Sequence, residues 1–247
     1  MLAIYKRELR AYFVTPIGYV CLAIFLAASG FLFSLFTLQS QTTDVGTYFT
    51  FSLFLLIIVC ALLTMRLFAE EKKLRTEQLL LTAPVSITGM VVGKFLAAFT
   101  LFAISVLVSL VNFIPLCIYA QMDGVNDAYA SSVGPVASMI FSNTLGLLLI
   151  GAAFIAIGMF ISSLTENQLA AAIITVAIIA TMLLLNFVNG YIENYVLRFI
   201  ISWVCFMSRY APFQSGIFDP SSLLYFTSVA GVFLFLTVRI YDKRRWG

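Results

Sequence analysis

Few residues in this 247-residue chain could do covalent chemistry, and their spacing excludes most of it. Histidine is absent, which removes Ser–His and Cys–His nucleophilic pairs, His-ligated haem and the common zinc sites together. Cys21, Cys60, Cys117 and Cys205 stand singly in apolar stretches with no C-x-x-C pair, so they read as small buried apolar residues. Gly93-Lys94 is the one Gly-Lys pair, but Phe95 follows it and the upstream glycine of a phosphate loop is missing. ATP hydrolysis, if it drives this protein, belongs to another chain. A G-x-S-x-G nucleophile elbow is also missing. Asn112, Asn143 and Asn186 sit in apolar runs, where interhelical hydrogen bonding is their expected work. No Asp or Glu interrupts those runs, which counts against a proton- or sodium-coupled carrier. The eight methionines are scattered and mark no copper path. No catalytic, cofactor or metal site is expected.

What remains is charge, and two segments concentrate it. Leu2, Tyr5, Leu9, Tyr12 and Phe13 recur at three- and four-residue steps, while Lys6, Arg7 and Arg10 fall largely on the other side. This predicts an amphipathic helix over residues 1–15 lying on the inner membrane surface, a plain positive anchor being the blander reading. Thr15 then reads as an N-cap and Pro16 as the first turn of the next helix. The second segment, residues 66–94, is a dense charge run that turns into Leu79, Leu80 and Leu81. Glu71 and Arg75 stand at i and i+4 in the favourable order, which suggests a helix extending the preceding apolar run. Pro84 stops it, and Ser86 caps a new helix running through Lys94. A polar helix with a sharply broken apolar tip suits a partner's groove; a solvated loop is the alternative.

The elements that position these segments are membrane spans. The chain is 62% hydrophobic and 10% charged, against roughly 25% charged in soluble domains. At about 20 apolar residues per span, six runs qualify: 17–38, 49–65, 95–120, 136–164, 169–189 and 221–240. The chain is therefore expected to be one all-α transmembrane domain over residues 1–247. Residues 17–38 also continue too far for a cleaved signal peptide. Nearly all of the 14 basic residues lie before the first run, between the second and third, or at the end of the sixth, whereas the loops 39–48 and 121–135 have no Lys or Arg. The positive-inside rule then puts both termini and the 66–94 loop in the cytoplasm. Residues 190–220 are interrupted by Arg198, and a seventh span there would reverse the charge bias. Tyr195, Trp203 and their aromatic neighbours suit the headgroup level, so an external re-entrant helical segment, broken at Pro212, is expected. Small residues at 151, 152, 156, 158, 171 and 175 give the fourth and fifth runs faces for close packing, and Pro115 is expected to kink the third.

The order Glu71-Lys-Lys-Leu-Arg-Thr-Glu77, Leu79-Leu80, Pro84-Val85-Ser86 and Gly93-Lys94 resembles the membrane subunit of a type-2 ABC transporter, in particular the permeases of the gliding-motility and multicopper-enzyme-maturation branch. The resemblance covers nearly the whole chain. It implies that Glu71, Thr76, Glu77, Leu79, Leu80 and Pro84, with Arg75 and Leu81 beside them, form a coupling helix docked into an ATPase subunit. At Arg75 the sequence departs from a glycine common in that family, so helix is expected there in place of a turn.

By the same resemblance the protein is an inner-membrane permease of a bacterial cell, usually an exporter, paired with a second copy or similar chain and with two ABC ATPase subunits that carry the ATP and Mg. The N-terminal surface helix, with Tyr5, Lys6, Arg7, Leu9 and Arg10, would receive the same push. The external loops are short, which leaves room for a separate periplasmic or membrane-tethered accessory protein. The bilayer is a partner in itself, and nucleic acid is not expected. A non-transporting membrane scaffold and a passive channel or secondary carrier are the alternatives. The substrate is not legible in the residues.

Overall fold

The computed structural model describes residues 2–39, 45–78, 86–116, 137–189, 194, 198, 201–203 and 205–246. It is an all-α polytopic membrane protein with no strand among the described residues. Among the described residues nine α-helices follow in order: α1 Leu2–Val14, α2 Pro16–Phe33, α3 Gly46–Thr64, α4 Ala69–Lys73, α5 Ile87–Ser109, α6 Ala137–Leu164, α7 Gln168–Asn189, α8 Phe206–Gln214 and α9 Pro220–Trp246. Six helical runs are long and apolar enough to cross a bilayer: Pro16–Leu38, Gly46–Lys73, Ile87–Leu116, Ala137–Leu164, Gln168–Asn189 and Pro220–Arg245. Five begin one to eight residues ahead of the expected start and the fourth, at Ala137, one residue after it.

Local chemistry sets the boundaries. Thr15 lies between α1 and α2 with extended backbone (φ −86°, ψ 148°), as a residue before proline must, and Pro16 opens α2 where no N–H is needed. The Thr15 hydroxyl makes no cap; it donates back to Ala11 O at 2.7 Å. Ser86 does cap α5, accepting from Gly89 N at 3.3 Å. α5 passes into a 3₁₀ turn at Leu110–Asn112, just ahead of Pro115, whose ring and missing N–H disturb the preceding turn.

α6 is the hub. Its central stretch is 72% buried and that of α3 61%, against 28% for α2, 22% for α7 and 17% for α9. Glycines let α6 approach its neighbours: a Cβ at Gly151 would meet the Phe102 ring of α5 at 2.1 Å, and one at Gly158 would meet Thr64 Oγ1 of α3 at 2.2 Å. The small-residue face therefore packs, as the sequence suggested. Asn143 of α6 accepts the Tyr210 hydroxyl of α8 at 2.8 Å. Pro212 lies inside α8, which continues to Gln214; the expected break comes two residues later, since the helix has one turn to run and gives up a single bond to the proline.

Candidate functional site

The polar side chains gather at the end of the bundle where α1, the start of α5 and the end of α9 meet; this is called the near face below. α3 ends at Thr64, and the turn Met65–Phe68 separates it from α4, so the expected extension of the second span is present but interrupted. Ser162 of α6 holds this turn. Its hydroxyl accepts from Phe68 N at 3.2 Å and Ala69 N at 3.1 Å and lies 3.3 Å from Met65 O, to which it donates. The free amides at the start of α4 are thereby satisfied.

At the centre stands Lys94, on the first turns of α5, with only 1% of its side chain exposed. Its ammonium pairs with Glu71 of α4 at 2.7 Å and with Glu8 of α1 at 3.5 Å, donates to Leu67 O at 2.6 Å, and lies 4.9 Å from the centre of the Phe68 ring. Arg7 closes the group from the solvent side, 2.7 Å from Glu8 and 3.1 Å from Glu71. Two cations thus meet two carboxylates with no net charge, the condition under which a buried ammonium is tolerated. Burial pushes the Glu8 carboxyl up, but Lys94 and Arg7 outweigh it and hold the group below its ordinary range. Burial likewise pushes Arg7 down, and Glu8 and Glu71 outweigh that and raise it.

Flanking contacts widen the platform. Arg66 donates to Thr15 Oγ1 at 2.7 Å, lies 3.4 Å from Glu70 and stacks 5.1 Å from the Tyr12 ring, while Tyr12 donates to Leu63 O at 2.7 Å. These bonds fasten the α1–α2 corner to the end of α3. Arg244 of α9 pairs with Glu77 at 2.9 Å and donates to Ser163 O at 3.4 Å; Lys72 also donates to Ser163 O. One face of the bundle is thus stitched together through every span except α7.

The expected pair of Glu71 with Arg75 does not form, because Glu71 turns inward to Lys94 and Arg7. Nor does helix replace the turn at Arg75. Arg75 has φ +57°, with Arg75 N donating to Lys72 O at 3.0 Å and Thr76 N to Glu71 O at 2.9 Å. This is a Schellman ending, and here arginine occupies the left-handed position that glycine usually takes. Thr76 adds a hydroxyl bond to Glu71 O at 3.3 Å. Leu79, Leu80, Leu81 and Pro84 lie outside the described residues, as does Tyr195. A polar cleft of about 300 Å³, lined by Lys72, Arg75, Glu77, Gln78 and Glu166, opens where the chain leaves Gln78.

In α1 the buried residues are Ile4 and Tyr12, with Glu8 half-buried between them on the same face, rotated from the expected stripe. Leu2 and Phe13 are exposed, Tyr5 and Leu9 lie at the margin, and Lys6, Arg7 and Arg10 point away as expected. Tyr5 shares a 3.2 Å hydrogen bond with Thr100 of α5. Glu8 was missed by the sequence reading. Its signal was available: it stands four residues from both Ile4 and Tyr12, an acid on the face that packs. At the far end, Arg198 and Trp203 are both exposed.

The fold defines an integral membrane protein with a charged platform at one face. Residues 32–239 match the family described as ABC-2 family transporter protein, and the chain belongs to that family. It is a membrane permease component of an ABC transporter, a transport subunit, and membership implies association with ABC ATPase subunits. None of the curated proteins matches it. The matched residues include Glu71 and Lys94 but begin after Glu8.

Proposed function

We infer that the chain is an export permease of the bacterial inner membrane, with both termini cytoplasmic, working as a dimer with a second copy or a similar chain. Two separate ATPase subunits, carrying ATP and Mg, would drive it. The observation that carries this reading is the Lys94–Glu71–Glu8–Arg7 cluster. Residues 79–85 follow the Glu77 arm in the sequence, and the ion pairs of Glu71 with Lys94 and Arg7 and of Glu77 with Arg244 tie that arm to α5, α1 and α9. Closure of the ATPases would then rock the spans as units and change access to a path between the two permeases. Leu79, Leu80 and Leu81 supply the apolar tip for docking, with Thr76, Glu77 and Pro84 setting its ends. The order from Glu71 to Lys94 supports the gliding-motility and multicopper-enzyme-maturation branch.

The test is co-purification in detergent with the ATPase encoded beside the chain. Leu80→Glu or Glu77→Lys is expected to abolish recovery of the ATPase while leaving the permease in the membrane. Unchanged stoichiometric recovery together with normal transport would sink the docking assignment. Substrate flux without any ATPase would favour a carrier instead.

A further inference from the structure

At the face opposite the platform, the chain carries an arginine held by aromatic rings. Arg209 lies on α8, half-buried, and among the described residues it forms no ion pair and donates no hydrogen bond. Its guanidinium instead sits against two aromatic rings, 5.4 Å from the centre of Trp203 and 5.6 Å from that of Tyr225. Such contacts hold a cation in position without drawing on its five N–H donors.

The position lies inward from that end of the bundle. α8 starts at Phe206, whose ring packs 5.3 Å from Phe154 well within α6. It ends at Gln214, which donates to Thr50 Oγ1 at 2.6 Å, one turn inside the start of α3. Arg209 precedes Gln214 by five residues, so at the 1.5 Å rise of a helix it lies about 7 Å deeper. That offset is close to the thickness of one headgroup layer, half the difference between a core of about 30 Å and a bilayer of about 40–45 Å. An ionised side chain there marks a function more often than a support. Of the two rings, Trp203 is 55% exposed.

We propose that Arg209, framed by Trp203 and Tyr225, binds the phosphodiester of a lipid in the leaflet away from the termini. The planar fork of arginine matches two oxygens of one phosphate, and the aromatic rings hold the fork before the lipid arrives. Asp219 sets the charge of the ligand. Its carboxylate accepts from Ser221 N, Ser222 N and the Ser222 hydroxyl at the start of α9, and those bonds, the Ser222 hydroxyl foremost, together with Arg209 keep it ionised below its ordinary range. A fixed negative charge near the arginine disfavours a doubly charged phosphate and accepts a singly charged diester.

Trp203 supplies the readout once Trp246→Phe removes the other tryptophan. Brominated phosphatidylglycerol titrated into the detergent-solubilised protein is expected to quench Trp203 at roughly ten- to a hundredfold lower concentration than brominated diacylglycerol, the factor a charge-assisted hydrogen bond supplies. Arg209→Gln, with an unchanged melting curve, is expected to erase that preference, and Arg209→Lys to keep part of it. Equal quenching by the two lipids on the parent protein would overturn the proposal without any substitution at Arg209. So would a preference that survives Arg209→Gln. Displacement of the brominated lipid by inorganic phosphate or glycerol 3-phosphate would overturn the assignment to a lipid.

Discussion

At the scale of single residues, Lys94 decides the most. Its side chain is 1% exposed and meets two carboxylates, so removing it leaves Arg7 alone to balance both. Lys94→Met is expected to destabilise the protein by about 3–5 kcal/mol, the usual cost of breaking one side of a buried pair, read by detergent-resistant unfolding. Adding Glu71→Gln should recover much of that loss, because Arg7 and Glu8 then remain as a balanced pair. Simple additivity of the two losses would show that Lys94 and Glu71 are not coupled. Glu8 makes the cluster pH-dependent. Its folded pKa is lowered, so its contribution is present above the unfolded carboxyl value of about 4.3 and is lost as the pH falls through the lower folded value. The melting temperature is expected to fall on that acid limb, and Glu8→Gln should lower stability at neutral pH while flattening the limb. Lys94 was legible as the start of a span; its partners were not, because they come from segments 86 and 23 residues away along the chain and only folding joins them.

Helices and their ends tell a mixed story. The Ser86 cap and the Thr15–Pro16 corner were legible, since both depend on neighbours in sequence. The Arg75 turn was not, since arginine in a left-handed conformation is seldom chosen and a charge run looks helical. Arg75→Gly is expected to stabilise the protein by about 1 kcal/mol by relieving the Cβ penalty at that position, measured by thermal unfolding. A loss of stability would instead assign the Arg75 side chain a favourable contact that outweighs its backbone cost. The face of α1 was misjudged for a related reason. Apolar periodicity favoured Leu2 and Phe13, whereas the true stripe includes an acid whose partner is buried elsewhere.

For the whole molecule, the number of spans was plain and their arrangement was not. Lipid is as apolar as a packed interior, so α6 at the hub and α9 at the rim read alike along the sequence, although 72% of one and 17% of the other are buried. What betrayed α6 was size rather than polarity, through Gly151 and Gly158. The orientation inferred from charge placement is open to direct measurement. In a chain freed of its own cysteines, Asp127→Cys is expected to react with a membrane-impermeant maleimide on intact cells, and Lys73→Cys only after lysis. The reverse pattern would turn the protein over. The balanced cluster at the near face also bears on how such a chain can change over generations. Neutralising any one of Glu8, Glu71 or Lys94 leaves the cluster with an unbalanced charge, whereas neutralising Lys94 together with one acid does not. Selection should therefore admit changes at these three positions only together, so that among relatives they covary, even though one of them lies in a segment outside the part of the chain by which the family is recognised.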